Sequence, residues 1–162
     1  MAEPIKPKTC LTFSFFSDLT AARTYPGAAS DGSRGIWGGG TTGSVTDIMD
    51  YIEISILTDA TDFGNLSVAR LGAAATADGA IAVFGGGDTG SVVDRIDFHS
   101  IATLGNAHNF GSLIAVSKTR GACTDGSIGV FAGGEPHTTN IDYVTISIPV
   151  ATASNWGNLT LA

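Results

Sequence analysis

Residues 78–87 read Asp78-Gly79-Ala80-Ile81-Ala82-Val83-Phe84-Gly85-Gly86-Gly87, and related stretches begin at Asp31 and at Asp125. The three aspartates are 47 residues apart in both steps. A fixed period of roughly 20–50 residues is typical of repeat architectures, in which each repeat is one supersecondary unit. The period of 47 residues therefore predicts that the chain consists of repeated structural units.

Each copy predicts a hairpin whose second strand ends in glycines. An Asp-Gly pair between two strand-forming segments is the strongest local signal for a tight turn, and we expect both of its residues at positive φ. The small residues before the pair predict a first strand that lies close to its neighbours. The glycines let backbones approach and take unusual φ values; the positions are Gly38, Gly39, Gly85, Gly86, Gly133 and Gly134.

Two further strands complete each unit. A segment of branched and aromatic residues follows the glycines, as at residues 48–56, and its period-two alternation predicts a strand. Next comes an aromatic residue with leucine three positions later; the aromatic residue is Phe16, Phe63, Phe110 or Trp156. This last segment has four copies and the others have three, so residues 12–20 predict an extra strand. No segment has the apolar period and caps of a helix.

The sequence therefore predicts an all-β fold with three four-stranded units of about 47 residues, placed at about 24–70, 71–117 and 118–162. Four antiparallel strands in roughly 40–50 residues are typical of a propeller blade.

The sequence also predicts two segments of the chain and one set of equivalent buried residues. We expect residues 1–11 to form an extended arm, because prolines at positions 4 and 7 are excluded from a helix interior, and residues 12–162 to form one β-repeat domain. We also expect Ile36, Val83 and Val130 to be buried in equivalent environments, because they share one position of the repeat.

The order of these elements resembles a kelch repeat. The matching residues of the second unit are Arg70, Asp78-Gly79, Val83-Phe84-Gly85-Gly86, Asp97-Phe98, Phe110 and Leu113. The resemblance covers residues 12–162. It departs from the family pattern in a glycine triplet in place of a doublet, and in phenylalanine in place of tryptophan in most fourth strands. The repeats are also similar to glycine-rich kelch-like repeats in structural and tail-associated proteins of bacterial and algal viruses. These resemblances imply a propeller in a structural protein.

Three units leave a propeller incomplete, since closed rings usually have roughly 4–8 blades. A single chain would expose two apolar sheet faces, and exposed apolar surface of that size marks an interaction site. We therefore expect a homo-oligomer in which two chains form a six-bladed ring. A three-sheet prism within one chain is the alternative. The surplus fourth strand, at residues 13–20 or 156–161, would reach into a neighbour's blade.

The composition limits the partners. Charged residues make up 14% of the chain, the net charge is −7, and lysine occurs only at positions 6, 8 and 118. Phosphate binding requires clustered Lys and Arg, so nucleic acid is not expected as a partner. No run of about 18 apolar residues predicts a membrane span, and the polar N-terminus has no signal-peptide apolar segment. The low charge fits a protein packed against neighbours, or a soluble all-β monomer rich in Thr, Ser and Gly.

No catalytic constellation occurs in the sequence. His99, His108 and His137 fall at different positions of their units, so we do not expect them to converge on a metal ion. The repeated aspartates are explained as turn residues. The glycines precede neither Lys-Ser/Thr nor a helix, unlike a phosphate loop, and no Gly-x-Ser-x-Gly element is present. The sequence predicts no enzyme, no cofactor and no metal.

The cysteines, Cys10 and Cys123, have neither a disulfide-framework nor a zinc spacing. Because Cys123 aligns with Ala29 and Thr76, we expect it to be a small buried thiol.

Arg23, Arg70 and Arg120 are the most notable polar set. Arg23 and Arg70 precede the turn aspartates by eight residues, whereas Arg120 is offset, so that Lys118 is a candidate for the third position. The arginines either ring one face of a propeller and bind an anion or a glycan, or bond loop carbonyls between blades. Tyr25 and Trp37 are the aromatic residues on which a sugar would stack.

We therefore expect a non-enzymatic structural or interaction protein. It would be a virion component (tail, fibre or capsid decoration) or a filament component, acting through contacts with itself and with other structural proteins in a virion or extracellular assembly. The alternative is a carbohydrate-binding or adhesion module of the β-propeller type, which would bind a surface glycan.

Overall fold

Three β-sheets make up the structure. The computed structural model describes residues 18–56, 58–148 and 152–160, and these residues contain no helix. Their strands, in chain order, are β1 (Gly27–Ser30), β2 (Arg34–Gly38), β3 (Ile48–Glu53), β4 (Thr61–Asn65), β5 (Ala74–Ala77), β6 (Ile81–Gly85), β7 (Arg95–Ser100), β8 (His108–Ser112), β9 (Gly121–Thr124), β10 (Ile128–Ala132), β11 (Asn140–Thr145) and β12 (Ser154–Asn158).

Each sheet is an antiparallel meander of four consecutive strands. Sheet 1 contains β1–β4, sheet 2 contains β5–β8 and sheet 3 contains β9–β12. The predicted all-β fold with three units of four strands is confirmed. The arm predicted over residues 1–11 lies outside the described residues. Of the extra strand predicted over residues 12–20, only residues 18–20 are described, and they form no strand.

The turn between the first two strands corrects one prediction. The Asp31 N–H donates to the Arg34 carbonyl over 3.3 Å, so the two central residues are Gly32 and Ser33. Of the Asp-Gly pair, only Gly32 has a positive φ, of 90°. The Asp31 carboxylate accepts the N–H groups of Ser33 and Arg34 over 2.7 and 2.6 Å. The expectation of positive φ at both residues was wrong, because the aspartate turns the chain through its side chain.

A bulge marks the aromatic residue of every fourth strand. The pairing of β3 with β4 skips Phe63, and the equivalent pairings in sheets 2 and 3 skip Phe110 and Trp156. A bulge bends its strand and redirects a side chain. The bulge places Phe63 in a buried cluster with Phe84 of sheet 2. The fourth strand of one sheet thus contributes to the interface with the next sheet.

The core consists of two clusters, each between neighbouring sheets. The cluster between sheets 1 and 2 includes Ile36, Met49, Phe63, Phe84 and Ile101. The cluster between sheets 2 and 3 includes Val83, Ile96, Phe110, Phe131 and Ile146. The members correspond one to one by repeat position. The two interfaces are therefore one arrangement built twice.

Small residues make room for the aromatic ring at the centre of each interface. A Cβ added to Gly38 would lie 2.9 Å from the Phe84 ring, and a Cβ added to Gly27 would lie 3.3 Å from it. A Cβ added to Gly85 would likewise lie 2.9 Å from the ring of Phe131. Real Cβ atoms essentially never approach within 3.0 Å, so glycine is required at positions 38 and 85 for these rings to pack as they do.

Candidate interaction site

A buried arginine–aspartate pair joins sheet 2 to the segment that precedes it. Arg70 follows β4, and its Nη1 lies 3.0 Å from Oδ2 of Asp97 in β7, with both side chains fully buried. Burial lowers the pKa of Arg70, and the charge of Asp97 opposes that shift. Arg70 Nη2 also donates to the Phe84 carbonyl over 3.1 Å. The arginine thus links a carboxylate on one strand to a carbonyl on the strand beside it.

The other two arginines repeat this arrangement. Arg23 Nη2 lies 2.8 Å from Oδ2 of Asp50, and Arg120 Nη1 lies 2.7 Å from Oδ2 of Asp142. Each arginine again donates to a carbonyl of the second strand, at Trp37 and Phe131. Because all three guanidinium groups are covered and ion-paired, the described contacts are structural: each arginine joins the segment before the first strand of a sheet to the second and third strands of that sheet. A role in binding an anion or a glycan stays a prediction.

Arg120 reaches its aspartate from a shifted position. Ser117 occupies the position of Arg23 and Arg70, and Arg120 Nε donates to the Ser117 hydroxyl. Lys118 does not take the arginine's place. Its Nζ lies 2.9 Å from Oδ2 of Asp88, and this contact lowers the pKa of Asp88 and raises that of Lys118. A long side chain can span a three-residue offset, so sequence spacing did not reveal the equivalence.

The outer face of sheet 3 exposes side chains whose counterparts in sheet 2 are buried. Trp156 is 59% exposed, whereas Phe110 is 0% exposed. Leu159 is 44% exposed, whereas Leu113 is 2% exposed. The Trp156 ring packs edge-on against Tyr143, with 5.2 Å between centroids. We call this surface the trailing face and define it by Val130, Tyr143, Trp156 and Leu159.

Val130 corrects the expectation of three equivalent buried residues. Ile36, Val83 and Val130 all occupy the third residue of a second strand, as predicted. Ile36 and Val83 are buried, but Val130 is only half-buried. The cause is that, among the described residues, no sheet packs on the side of sheet 3 where Val130 lies.

The outer face of sheet 1, on the opposite side of the molecule from the trailing face, also exposes apolar side chains whose counterparts are buried. Ile54 is 40% exposed, whereas its counterparts Ile101 and Ile146 are 0% exposed. Trp37 is half-buried, although the equivalent phenylalanines of sheets 2 and 3 are fully buried. A shallow surface depression beside Trp37 is lined mostly by apolar groups, including Ala28 and Ile52. We call this surface the leading face and define it by Ala28, Trp37, Ile52 and Ile54.

The aromatic residues proposed for sugar binding have different surroundings. Tyr25 is 62% exposed and has a positive φ of 58°. The side chains that line the depression beside Trp37 have two polar groups, the hydroxyl of Ser30 and the indole N–H of Trp37 itself. A sugar requires several polar partners in addition to an aromatic platform. Glycan binding at Trp37 therefore stays a prediction without further support from its lining.

Two of the histidines come together in sheet 2. The rings of His99 and His108 are stacked, with 6.4 Å between centroids and 5° between planes. Their different repeat positions did not reveal this, because β7 and β8 pair as neighbours. His137 lies exposed before β11. In the part of the chain that the structure describes, no group of three or more His, Cys, Asp or Glu is placed to hold a metal ion.

Cys123 corrects another expectation. The thiol is free and exposed, not buried. Thr76, at the same position of sheet 2, is buried. The difference again reflects the uncovered side of sheet 3. Cys10 lies outside the described residues.

No protein-family model matches this chain, and no curated protein matches it. The described residues include no helix that is long and apolar enough to cross a membrane.

Proposed function

We propose that this protein is a non-enzymatic structural protein that acts through protein–protein contacts made by its leading and trailing faces. One observation carries the proposal. Positions that are buried at both interfaces between sheets carry exposed or half-exposed apolar side chains at both ends of the chain. The two end faces thus have the composition of an interface without a covering sheet.

The chemistry of the faces supports contact with a protein. Trp37 lies on one face, and Trp156 and Tyr143 lie on the other. Tryptophan and tyrosine are enriched in the buried centres of protein interfaces. Covering apolar surface contributes about 25 cal/mol per Å². A partner that covers both faces therefore stabilises the chain in the same way that its own neighbouring sheets stabilise each other.

A virion or filament is the setting that we propose for these contacts. The resemblance to kelch-like repeats of viral structural proteins supports this setting, as does the low content of charged residues, 14%. Repeated units that present one face at each end are suited to assembly in rows or rings. The adhesion module that binds a surface glycan remains the alternative, and binding of the purified protein to a glycan array would favour it.

The test replaces apolar residues of the trailing face. We expect Trp156→Asp combined with Leu159→Asp to leave the chain folded but to remove it from its native assembly. Leu104→Asp is the matched control, because Leu104 is as exposed as Trp156 but lies in the loop between β7 and β8. Retention of each tagged variant in assemblies isolated from the producing organism is measured by quantitative mass spectrometry. Equal retention of the face variant and the control would contradict the proposal.

A further inference from the structure

The partner of the trailing face follows from the repeat itself. We propose that the leading face of a second copy of this chain docks on the trailing face, in the register in which sheet 2 meets sheet 1. The inference rests on the proposed function and names the partner. The two intramolecular interfaces are the template, since they join the same two kinds of face.

The central ring of the docked interface is Trp37. At the two existing interfaces, Phe84 lies against Gly27 and Gly38, and Phe131 lies against Gly85. The equivalent position on the trailing face is formed by Gly121 and Ala132.

The Ala132 methyl group stands at the position of Gly38 and Gly85, where the central ring of each existing interface leaves no room for a Cβ. Sheet 2 has Ala74 where sheet 1 has Gly27, so one corner of the site already accepts a methyl group. On sheet 3 the methyl group is at Ala132, and the other corner, Gly121, is open: a Cβ added there would meet only the Ala132 carbonyl oxygen, at 3.9 Å. The Trp37 ring therefore packs on the trailing face in a position shifted away from Ala132 and towards Gly121.

A series of backbone hydrogen bonds is open at both ends in the matching way. The Thr119 N–H donates to the Gly72 carbonyl over 2.7 Å, and the Gly72 N–H donates to the Tyr25 carbonyl over 2.9 Å. These three residues share a positive φ of 55–66°. Among the described residues, the Tyr25 N–H and the Thr119 carbonyl have no backbone partner. In the docked register, Tyr25 of the second copy donates to Thr119 of the first.

A second backbone hydrogen bond recurs at both interfaces between sheets and lacks its third copy, at the trailing face. The Gly40 N–H donates to the Arg70 carbonyl over 2.9 Å, and the Gly87 N–H donates to the Ser117 carbonyl over 2.8 Å. The next donor in this series is Gly134, for which the described residues provide no backbone acceptor. The next acceptor is the Arg23 carbonyl of a second copy. Two independent hydrogen-bond series thus give one register.

The outer edge of the junction requires an adjustment. The Asp18 carbonyl accepts the Ala60 N–H over 3.1 Å, as the Asn65 carbonyl accepts the Ala107 N–H one unit later. In the docked register, Asn158 of β12 comes to the position of Asp18 on the second copy. One of these two segments must shift outward. The inner strands β1 and β9, on which the test below depends, are not involved in this overlap.

Closure into a ring follows from the polarity of the two faces. Each copy has one leading and one trailing face, so the contact is heterologous and gives either a closed ring or an open filament. Two copies provide six sheets, a number within the common range of roughly 4–8 for closed propellers. We therefore expect a two-copy particle with twice the 16.4 kDa mass of one chain.

The test is a disulfide between two copies. A Cβ on Gly27 would lie 3.4 Å from the Ala75 Cβ at the existing interface, close to the roughly 3.5–4.5 Å that a disulfide needs. The equivalent pair between copies is Gly121 and Ala28. Ala28→Cys and Gly121→Cys are made in separate chains, each with Cys10→Ser and Cys123→Thr, and the chains are mixed, oxidised and analysed on a non-reducing gel.

We expect a covalent dimer of the Ala28→Cys chain with the Gly121→Cys chain. Ala29→Cys mixed with Gly121→Cys is the register control, because Ala29 faces sheet 2 of its own chain and should not be bridged. Ala74→Cys with Ala122→Cys in one chain is the positive control at an existing interface. Ala28 and Gly121 are exposed, so their substitution leaves the packed core unchanged.

Four outcomes of this experiment are distinguished. A dimer with Ala28→Cys and none with Ala29→Cys supports the docking. Equal bridging by both, or no bridging together with the mass of a single chain by light scattering at micromolar concentration, overturns it. That last result leaves the proposed function standing with a different partner, since the retention of the trailing-face variants in native assemblies is measured separately. Bridging with masses that rise to many copies overturns closure as a two-copy ring.

Discussion

Phe110 and Trp156 occupy the same position of the fourth strand in sheets 2 and 3, and the same kind of bulge skips both, but their surroundings differ. Phe110 is buried between sheets 2 and 3, whereas Trp156 stands exposed on the last sheet. The local conformation is therefore a property of the unit, and burial is a property of the neighbour. The same contrast separates Leu113 from Leu159 and Val83 from Val130.

The buried polar contacts, unlike the apolar ones, are the same at the interface between two sheets and at an open face. The pair of Arg23 with Asp50 is as buried as the pair of Arg70 with Asp97, although no sheet in the described part of the chain covers the leading face. Thr20 also donates to Asp50 through both its N–H and its hydroxyl, as Ser67 does to Asp97. The segment before sheet 1 thus completes the polar half of an interface whose apolar half is open.

The largest expected effect is a loss of stability at the apolar interface between sheets 2 and 3. Phe110→Ala should lower the free energy of unfolding by about 3–5 kcal/mol, because it leaves a cavity between sheets 2 and 3. Trp156→Ala should change it by less than about 1 kcal/mol in samples dilute enough to contain single chains, since exposed substitutions have small effects. Urea unfolding followed by circular dichroism measures both. Equal losses would show that Trp156 is covered within one chain.

The next effect concerns the buried ion pair. Arg70→Met should cost about 3 kcal/mol, at the low end of the range for a broken buried pair, because it leaves the buried carboxylate of Asp97 with only the partly exposed Arg95, 3.1 Å away, as its ionic partner. Arg34→Met is the matched control: Arg34 pairs with Glu53 over 2.7 Å, but both side chains are partly exposed, so the loss should be at most about 1 kcal/mol. Urea unfolding at pH 7 provides both values. A similar loss in the two variants would contradict the structural role assigned to the buried pair.

A smaller loss of stability compares the buried and the open face with the same residue type, valine, at one strand position. Val83→Ala should cost about 1–3 kcal/mol, because it removes two methyl groups from a closed interface. Val130→Ala, at the same strand position on the trailing face, should cost clearly less in a single chain. In the docked assembly proposed above, Val130→Ala should instead weaken dimerisation, which sedimentation across a concentration series detects. Equal losses of unfolding free energy at all concentrations would remove the distinction between the two sheets.

The smallest expected effect arises within the turns between the first two strands of sheets 1 and 3. Backbone N–H groups, that of Arg34 above all for Asp31 and that of Ile128 for Asp125, lower the pKa of both carboxyl groups below 3.8. The unfolded chain therefore binds more protons just below pH 3.8. The stabilisation is present above that pH and is lost as the pH falls through the folded-state pKa.

The double variant Asp31→Asn and Asp125→Asn tests this assignment. It keeps a side-chain oxygen as acceptor but does not titrate, so its stability should depend less on pH between about pH 5 and pH 2. Urea midpoints measured across that range provide the comparison. An unchanged pH profile would assign the acid sensitivity to other carboxyl groups.

Much of the fold could be predicted from the chain alone, because the repeat brings its own signals. The Asp-Gly turn, the alternating third strand and the aromatic residue of the fourth strand recur in order, and each acts over a few residues. The exposed thiol of Cys123 and the stacked rings of His99 and His108 could not be predicted in this way. They depend on which sheet covers β9 and on which strand lies beside β7.

The sequence by itself determined the four strands of each unit, their turns and the small residues that let sheets approach, since these follow from backbone preferences and a period of 47 residues. Only the tertiary structure decided that Arg120 replaces the arginine missing at Ser117, and that Trp37 and Trp156 are left at opposite ends of a three-sheet chain. The physical reason is that side-chain reach and burial depend on distances between units, and identical units do not reveal from their sequence which of them has a neighbour.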